Sequence, residues 1–428
     1  MENKVEFTRD NATKYICSEI KHICTDFEKR FAGEEGEKQT AEYLADSLKG
    51  SCDVVKVESF KLHPAAFSGW IYVTYTCFIL SLAAYFFSAM VSIVVMLAGM
   101  LPFIVEFLLY KRGLDPLFPE KKSQNVTAIR KCEGELQRRI LFNAHIDAAK
   151  EWSINYRLGG LHLRLHILFS VLGAVILFAL NIARWALIGG IGAEIASGPM
   201  LYVGFAMLVF APVWFVSYFI YDPKRTVDGA NDDLSGCLVA MSVLKTLEES
   251  GIRLENTEVG VVLTGGKEVG LRGAKAWCEK HKNDFADVQT LIITLDTLRE
   301  TQFININKSD MNSFVKTDSD VCALLREAAK KANVACTEKS MAMRVTDSAA
   351  FCQGGFKSAS LTALNKNIPQ YYHTRLDSYD NLNEDCIAKC FDLALKAVEV
   401  YSDQQLFVDD VPQQEVSEEP LQEVNAEE

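Results

Sequence analysis

Imidazoles and carboxylates recur in five short polar motifs along this chain. They are HID (His145, Asp147), DGANDDLSG (residues 228–236), KEVGLRG (residues 267–273), LDT (Asp296) and YHTRLDS (His373, Asp377). Such side chains are the ligands that zinc takes in proteins. A carboxylate bridging two ions, with one histidine and one carboxylate on each, makes a two-metal hydrolytic site. Its ions stand roughly 3.5–4 Å apart and share an activated water. Each motif alone also has a plain structural reading. An HxD triplet is more often surface or structural. DGANDD reads equally well as a turn and a helix N-cap, because Asp and Asn favour both. Asp296 reads as a helix cap and His373 as a buried, hydrogen-bonded histidine. Only the order and context of all five together is specific.

These side chains need a frame that brings them together. Residues 11–48 have helical periodicity, with FAGEEGEKQTAEYLADSL as an amphipathic helix after a Gly-rich turn. Residues 52–60 alternate like a strand. Residues 139–142, 259–263 and 290–295 are short apolar runs of the kind that form buried central strands. Helices follow at 234–249 and 273–282. The alternation predicts an α/β domain with a sheet covered on both faces. The motifs fall just after these strands or at loop ends, and open α/β sheets place their sites beyond the carboxyl ends of strands.

In this order the motifs resemble the clan MH zinc peptidases, the family of bacterial leucyl aminopeptidase, aminopeptidase Y and the transferrin-receptor ectodomain. The resemblance covers nearly all the soluble sequence over residues 15–401, and GANDDLSG and EVGLRG are its most specific pieces. It implies a three-layer α/β/α zinc-peptidase-like domain with a mixed sheet, a peptide or protein substrate, and two zinc ions per chain. It implies that His145, Glu268, Asp296 and His373 are terminal zinc ligands and that Asp232 is the bridge. Asp147 is similar to the carboxylate that orients its neighbouring histidine ligand. TDSAAF (residues 346–351) resembles a segment lining the family's substrate pocket. Ser348 stands where the family's usual histidine would be, so substrate preference does not carry over.

One departure bears on chemistry. The family pattern has two consecutive glutamates before VGLRG, the first a general base and the second a ligand. This chain has Lys267–Glu268. A protonated lysine cannot accept the proton of the activated water. Beside two cations it would be repelled, and repulsion with desolvation is expected to depress its pKa. A neutral lysine could then serve as a base.

Two blocks are too apolar for an ordinary soluble domain. Residues 70–110 carry one charge, Glu106, and residues 167–221 carry two, Arg184 and Glu194. A spanning helix needs about 20 apolar residues, so each block is long enough for a transmembrane hairpin. The turns are expected near residues 88–90 and within 184–200. Residues 1–69, 111–166 and 222–402 then form one discontinuous zinc-peptidase-like domain. An acidic tail, 403–428, is expected to be disordered. An even number of passes puts all soluble segments on one side. Lys61, Lys111, Arg112, Arg157, Arg164, Lys224 and Arg225 flank the helices there, which predicts a cytoplasmic domain. Twelve cysteines without a CxxC pair, and a polar N-terminus, agree with that side. The net charge is −12, and no basic nucleic-acid footprint is present.

The second block lies between His145 and Asp232, which would bring a bilayer close to the metal motifs. Three functions follow from the sequence. The first is a membrane-bound zinc hydrolase, most simply an aminopeptidase. The second is a catalytically silent zinc-binding relative acting as receptor or scaffold. The third is a channel or transporter with a regulatory domain, disfavoured because the apolar blocks hold so few charged groups.

Overall fold

A computed structural model describes residues 2–188, 195–340 and 344–406. The chain opens with α1 (Glu2–Asp26), α2 (Glu35–Leu48) and strand β1 (Val54–Leu62). Two apolar helices follow, α3 (Pro64–Tyr85) and α4 (Ala89–Pro102), the second running on in a wider turn to Leu108. Next come β2 (Lys121–Arg130), β3 (Arg138–His145), β4 (Lys150–Trp152) and the short α5 (Ser153–Leu158). The second apolar set is α6 (Gly160–Ile188), α7 (Pro199–Met207) and α8 (Phe210–Ser217), closed by β5 (Tyr221–Thr226), which pairs with β4. The rest alternates: α9 (Ser235–Glu249), β6 (Thr257–Thr264), α10 (Arg272–His281), β7 (Gln289–Leu298) and β8 (Ile304–Asn307). Then follow β9 (Ser309–Asp310), β10 (Val315–Lys316), α11 (Ser319–Lys331), β11 (Thr337–Lys339), α12 (Asp347–Gln353), β12 (Lys357–Ala363) and α13 (Glu384–Ser402).

Eight strands form one mixed sheet in the order β1-β2-β6-β3-β7-β12-β8-β11. Its centre, β6-β3-β7-β12, is parallel throughout. Every residue of β6 (TEVGVVLT) is buried, as expected for a strand covered on both faces. One face packs on α1, α9, α11 and α13 through residues such as Ile16, Leu238, Leu325 and Phe391. The other packs on α10 and α12 through Leu271, Trp277 and Phe351. The α/β/α layering and the mixed sheet match the sequence expectation. The strands foreseen at 52–60, 139–142, 259–263 and 290–295 are β1, β3, β6 and β7.

Four helical stretches are long and apolar enough to cross a membrane: Pro64–Tyr85, Ala89–Leu108, Gly160–Ala186 and Pro199–Ser217. They begin before the apolar blocks proper, because Pro64 starts α3 at its first turn and Gly160 starts α6. The four make one bundle around Trp70, Phe78, Tyr85, Met96, Leu177 and Trp214. Its outer surface exposes Leu97, Leu101, Leu168, Val175, Phe205 and Val209. Polar atoms inside it find one another: Ser81 bonds to Ser92 at 2.9 Å, and the Asn181 amide donates to the Ser92 hydroxyl at 2.7 Å. Arg184 is buried and donates to the Tyr85 carbonyl at the end of α3. The first hairpin turns at residues 86–88, next to the expected place. Glu194, part of the second turn, and residues 407–428 of the acidic tail lie outside the described residues.

Candidate metal centre

Three parallel neighbours, β6, β3 and β7, end side by side, and their ends carry the chemistry. His145 closes β3 opposite Thr264, the last residue of β6. Lys267 and Glu268 follow β6 after two glycines. Asp296 lies near the end of β7. Asp232 comes from the irregular turn of residues 230–234 before α9, entered through Gly229 in the left-handed region at φ 60. His373 comes from the loop after β12 and has φ 53.

Buried groups hold these loops in place. The Arg30 guanidinium donates to the carbonyls of Ile146 (2.9 Å) and Gly229 (3.0 Å), tying the HID turn to the Asp232 turn. Asp233 accepts N–H bonds from His145, Gly236 and Thr297, each at 3.1 Å. Burial, with Asp296 and Asp232 nearby, holds its carboxyl well above the usual carboxylate range. Asp377 accepts from the Asn231 backbone and side chain at 2.8 Å and from the Asp232 N–H at 3.2 Å. Burial, then the Asp232 charge, pushes it up to about 6. Asp147 accepts the N–H groups of Lys267 (3.0 Å) and Glu268 (2.9 Å) on its two oxygens, and its own carbonyl meets His145 Nδ1 at 2.9 Å. That leaves His145 Nε2 facing the cluster.

The structure brings all five expected ligands together. Asp232 stands between the two histidines: Oδ1 is 3.1 Å from His145 Nε2 and Oδ2 is 3.0 Å from His373 Nε2. Glu268 Oε2 is 3.3 Å from His373 Nε2, and Oε1 is 3.9 Å from His145 Nε2. Zinc bonded to N and O at about 2.1 Å in a tetrahedron spaces those atoms about 3.4 Å apart, so the spacings suit it. Asp232 Oδ2, Asp296 Oδ2 and His373 Nε2 are buried without a well-aligned hydrogen-bond partner. Native interiors rarely leave such groups unpaired. The donor set fits a divalent ion on both counts.

The electrostatics favour positive charge. Burial alone would lower the His373 pKa, but Glu268 and Asp232 outweigh it and push it up to about 9. For His145, burial and Lys267 oppose protonation, yet hydrogen bonds to Asp147 and Asp232 raise its pKa well above the usual value. Glu268 is buried, which favours the neutral acid, but His373 and Lys267 bring it down to about 2.

Lys267 points into the cluster. Nζ lies 2.8 Å from Glu268 Oε1, 3.3 Å from Asp296 Oδ2 and 3.6 Å from Asp232 Oδ1. Burial opposes its charge, but those three carboxylates outweigh burial and hold its pKa well above the usual lysine value. That direction comes from the protein's own charges; the expected depression is for a lysine beside two cations.

The roots of the apolar hairpins grip the same loops. Arg272, at the end of the Lys267 loop, donates to Glu106 in the last turn of the first hairpin (3.3 Å) and to Asp115 (2.8 Å). Glu106 also accepts the N–H groups of Gly113 and Leu114, both at 2.6 Å. At the second hairpin, the Trp152 N–H donates to the His373 carbonyl at 2.7 Å and its ring meets the His373 ring edge-on at 4.6 Å. Glu151 pairs with Arg375 at 2.7 Å. Gly160, where α6 begins, touches the loop before His373 so closely that a Cβ would lie 1.9 Å from the Ile368 carbonyl oxygen. Arg30, Asp233, Glu151, Trp152 and Arg272 were not singled out from sequence as site residues. For Asp233 the signal was its place beside Asp232 in the GANDD motif.

Residues 220–398 match the sequence profile of peptidase family M28. The matched segment is less than half of the chain. It carries Asp232, Lys267, Glu268, Asp296 and His373, while His145 and Asp147 lie upstream of it. A comparison with curated proteins returns no match. Among solved structures, the zinc aminopeptidase BSAP from Bacillus subtilis aligns with TM-score 0.55 at 15% identity, over 90% of this chain and 94% of that one. An aminopeptidase from Aneurinibacillus gives TM-score 0.55 at 12% identity, over 90% and 93%. A glutaminyl cyclase from Fimbriiglobus ruber gives TM-score 0.53 at 13% identity, over 92% and 95%. At such identities the likeness establishes the fold. With the family M28 match, it makes this chain a metallopeptidase-like protein that shares its fold with enzymes of more than one activity.

Proposed function

We propose that this chain is a membrane-embedded, zinc-dependent hydrolase that removes residues from peptide N-termini. The observation that carries the reading is the Asp232 carboxylate, which presents one oxygen to each of two buried histidines 3.1 and 3.0 Å away. Glu268 and His373 lie on one side of Asp232, and His145 and Asp296 on the other. Zinc held there supplies Lewis acidity, polarising a carbonyl and making water more acidic. Asp147 fixes the ring of His145 and the backbone of the Lys267–Glu268 loop together. Lys267 Nζ, 2.8 Å from Glu268 Oε1 and 3.3 Å from Asp296 Oδ2, lies where a protonated lysine can donate to an oxygen gaining negative charge; in that form it cannot take a proton from water. The family M28 match and the aminopeptidase fold support hydrolysis of peptides as the reaction class.

A second reading has its own observation. The ammonium at 267 removes the base that the family pattern places there, which suits a zinc-binding receptor or scaffold without turnover. The purified full-length chain and Lys267→Glu, assayed for release of N-terminal residues from unstructured peptides, separate the two. A hydrolase releases product as wild type, and Lys267→Glu is faster. A silent relative releases product only as Lys267→Glu.

The four apolar helices act as two membrane hairpins, with the metal-binding domain on the cytoplasmic side. The basic residues at the hairpin roots support this orientation. Because those roots touch the loops of His373 and Lys267, the domain is held against the bilayer surface, where the free end of a membrane-bound peptide can reach it. Impermeant thiol labelling of Ser88→Cys and Ser197→Cys in oriented vesicles tests the arrangement. Both label from the side opposite the domain; labelling from the domain's own side contradicts it.

A further inference from the structure

We propose that the Lys267 side chain serves as one of the two cations of the Asp232-bridged cluster, so that the chain binds a single divalent ion, on Asp232, Glu268 and His373. This rests on the zinc reading above and changes the number of ions that the sequence resemblance implied.

The geometry separates two halves of the cluster. On one side are His145 Nε2, Asp232 Oδ1 and Asp296 Oδ2. The ammonium of Lys267 lies among these oxygens, 3.6 Å from Asp232 Oδ1 and 3.3 Å from Asp296 Oδ2, with Glu268 Oε1 at 2.8 Å. On the other side are Asp232 Oδ2, Glu268 Oε2 and His373 Nε2, where the nitrogen is 3.0 and 3.3 Å from the two oxygens. Two of those three atoms, Asp232 Oδ2 and His373 Nε2, are buried without a well-aligned hydrogen-bond partner. Both halves hold zinc-type donors. They differ in that the ammonium reaches two donors of the first, Asp232 Oδ1 and Asp296 Oδ2, and of the second only Glu268, through Oε1.

Charge and confinement support the same division. Asp232, Glu268 and Asp296 bring three negative charges and Lys267 one positive charge. The remainder, two negative charges, is the charge of one divalent ion. A second ion would leave two uncompensated positive charges in a buried site, which is strongly unfavourable. Lys267 cannot easily withdraw. It is 4% exposed, its N–H is held by Asp147 at 3.0 Å, and its carbonyl accepts the N–H groups of Gly270 and Leu271, both at 3.0 Å. His145 Nε2 lies 3.1 Å from Asp232 Oδ1, on the side away from Oδ2, which faces His373 at 3.0 Å.

The test is metal content by elemental analysis of the full chain in detergent, stripped with chelator and reloaded with zinc, alongside a thermal melt to confirm folding. Wild type should hold one zinc per chain and Lys267→Glu two. In the wild-type background, His145→Ala should keep its zinc and His373→Ala should lose it. Two zinc ions in wild type, or one in both wild type and a folded Lys267→Glu, overturns the inference while leaving a zinc site in place. Loss in His145→Ala with retention in His373→Ala overturns the assignment of the ion to the His373 side. No zinc in reloaded wild type overturns the zinc reading itself, and this inference with it.

Discussion

The carboxylate of Asp147 binds the backbone N–H groups of Lys267 and Glu268 on its two oxygens and lies 3.5 Å from His145 Nδ1. In Asp147→Asn one oxygen becomes an NH2 facing an N–H donor. Partners of this kind typically contribute 10–100-fold in metal affinity. Zinc affinity measured by chelator competition should weaken by about that factor, with the fold retained. Glu37 offers a pH-dependent counterpart. It accepts N–H bonds from Gly33 (2.7 Å) and Gly266 (3.0 Å) and a hydroxyl bond from Ser123 (2.9 Å). Burial, then the Asp147 charge, raises its pKa from 4.5 to about 8. A folded-state pKa above the unfolded one gives stability that is complete below the unfolded value and is lost as pH rises through the folded one. Melting temperatures of wild type and Glu37→Gln should therefore shift in favour of the variant between about pH 5 and pH 9; parallel curves would contradict this. The gathering of the five expected ligands was legible in the sequence because zinc accepts few residue types and their order followed a family pattern. The place of Lys267 was not. Residue type shows a lysine in the motif, but only the backbone of the loop shows that its ammonium points into the carboxylates.

At the scale of elements, the central strands announced themselves because a strand buried on both faces must be apolar. β2 (KKSQNVTAIR) is buried over most of its length yet escaped notice, since it carries polar side chains, several of them paired inside the protein. The Asn125 amide donates to the Gly273 carbonyl and the Thr127 hydroxyl accepts from Trp277, both at 2.9 Å. β8 and β11 are too short to carry a pattern. The link between helix and loop was equally hidden. Glu106 stood out as a lone charge in an apolar run, but its partner Arg272 is far away in sequence. Removing one member of a buried ion pair typically costs about 3–5 kcal/mol, because the other is left uncompensated. Here Arg272 keeps Asp115 at 2.8 Å, so Glu106→Ala should lower stability by about 1–3 kcal/mol in reversible denaturation, chiefly through the Gly113 and Leu114 N–H groups that lose their acceptor. It should also weaken zinc binding, because the loop holding Glu268 loses its anchor. Unchanged zinc affinity in a destabilised variant would show that hairpin and loop are not coupled.

For the whole molecule, the insertion points explain why the apolar bundle and the site belong together. One apolar hairpin leaves the sheet after β1, at its edge. The other leaves after β3 and the HID turn, by way of β4 and α5, and returns through β5 to the Asp232 turn. Both returns pass the ends of β6, β3 and β7, so the bundle touches the domain where the ligands gather. Composition revealed the helices, since few soluble elements are so uniformly apolar; contact between their roots and the His373 loop emerged only in three dimensions. The central claim is that this cluster holds zinc and uses it on peptide N-termini. Its most direct test is product release by the purified full-length chain from one peptide in free and N-acetylated forms, before and after chelation and after zinc is returned. The account predicts release from the free peptide only, lost on chelation and regained with zinc. Release that survives complete removal of metal, or equal release from the acetylated peptide, would contradict it.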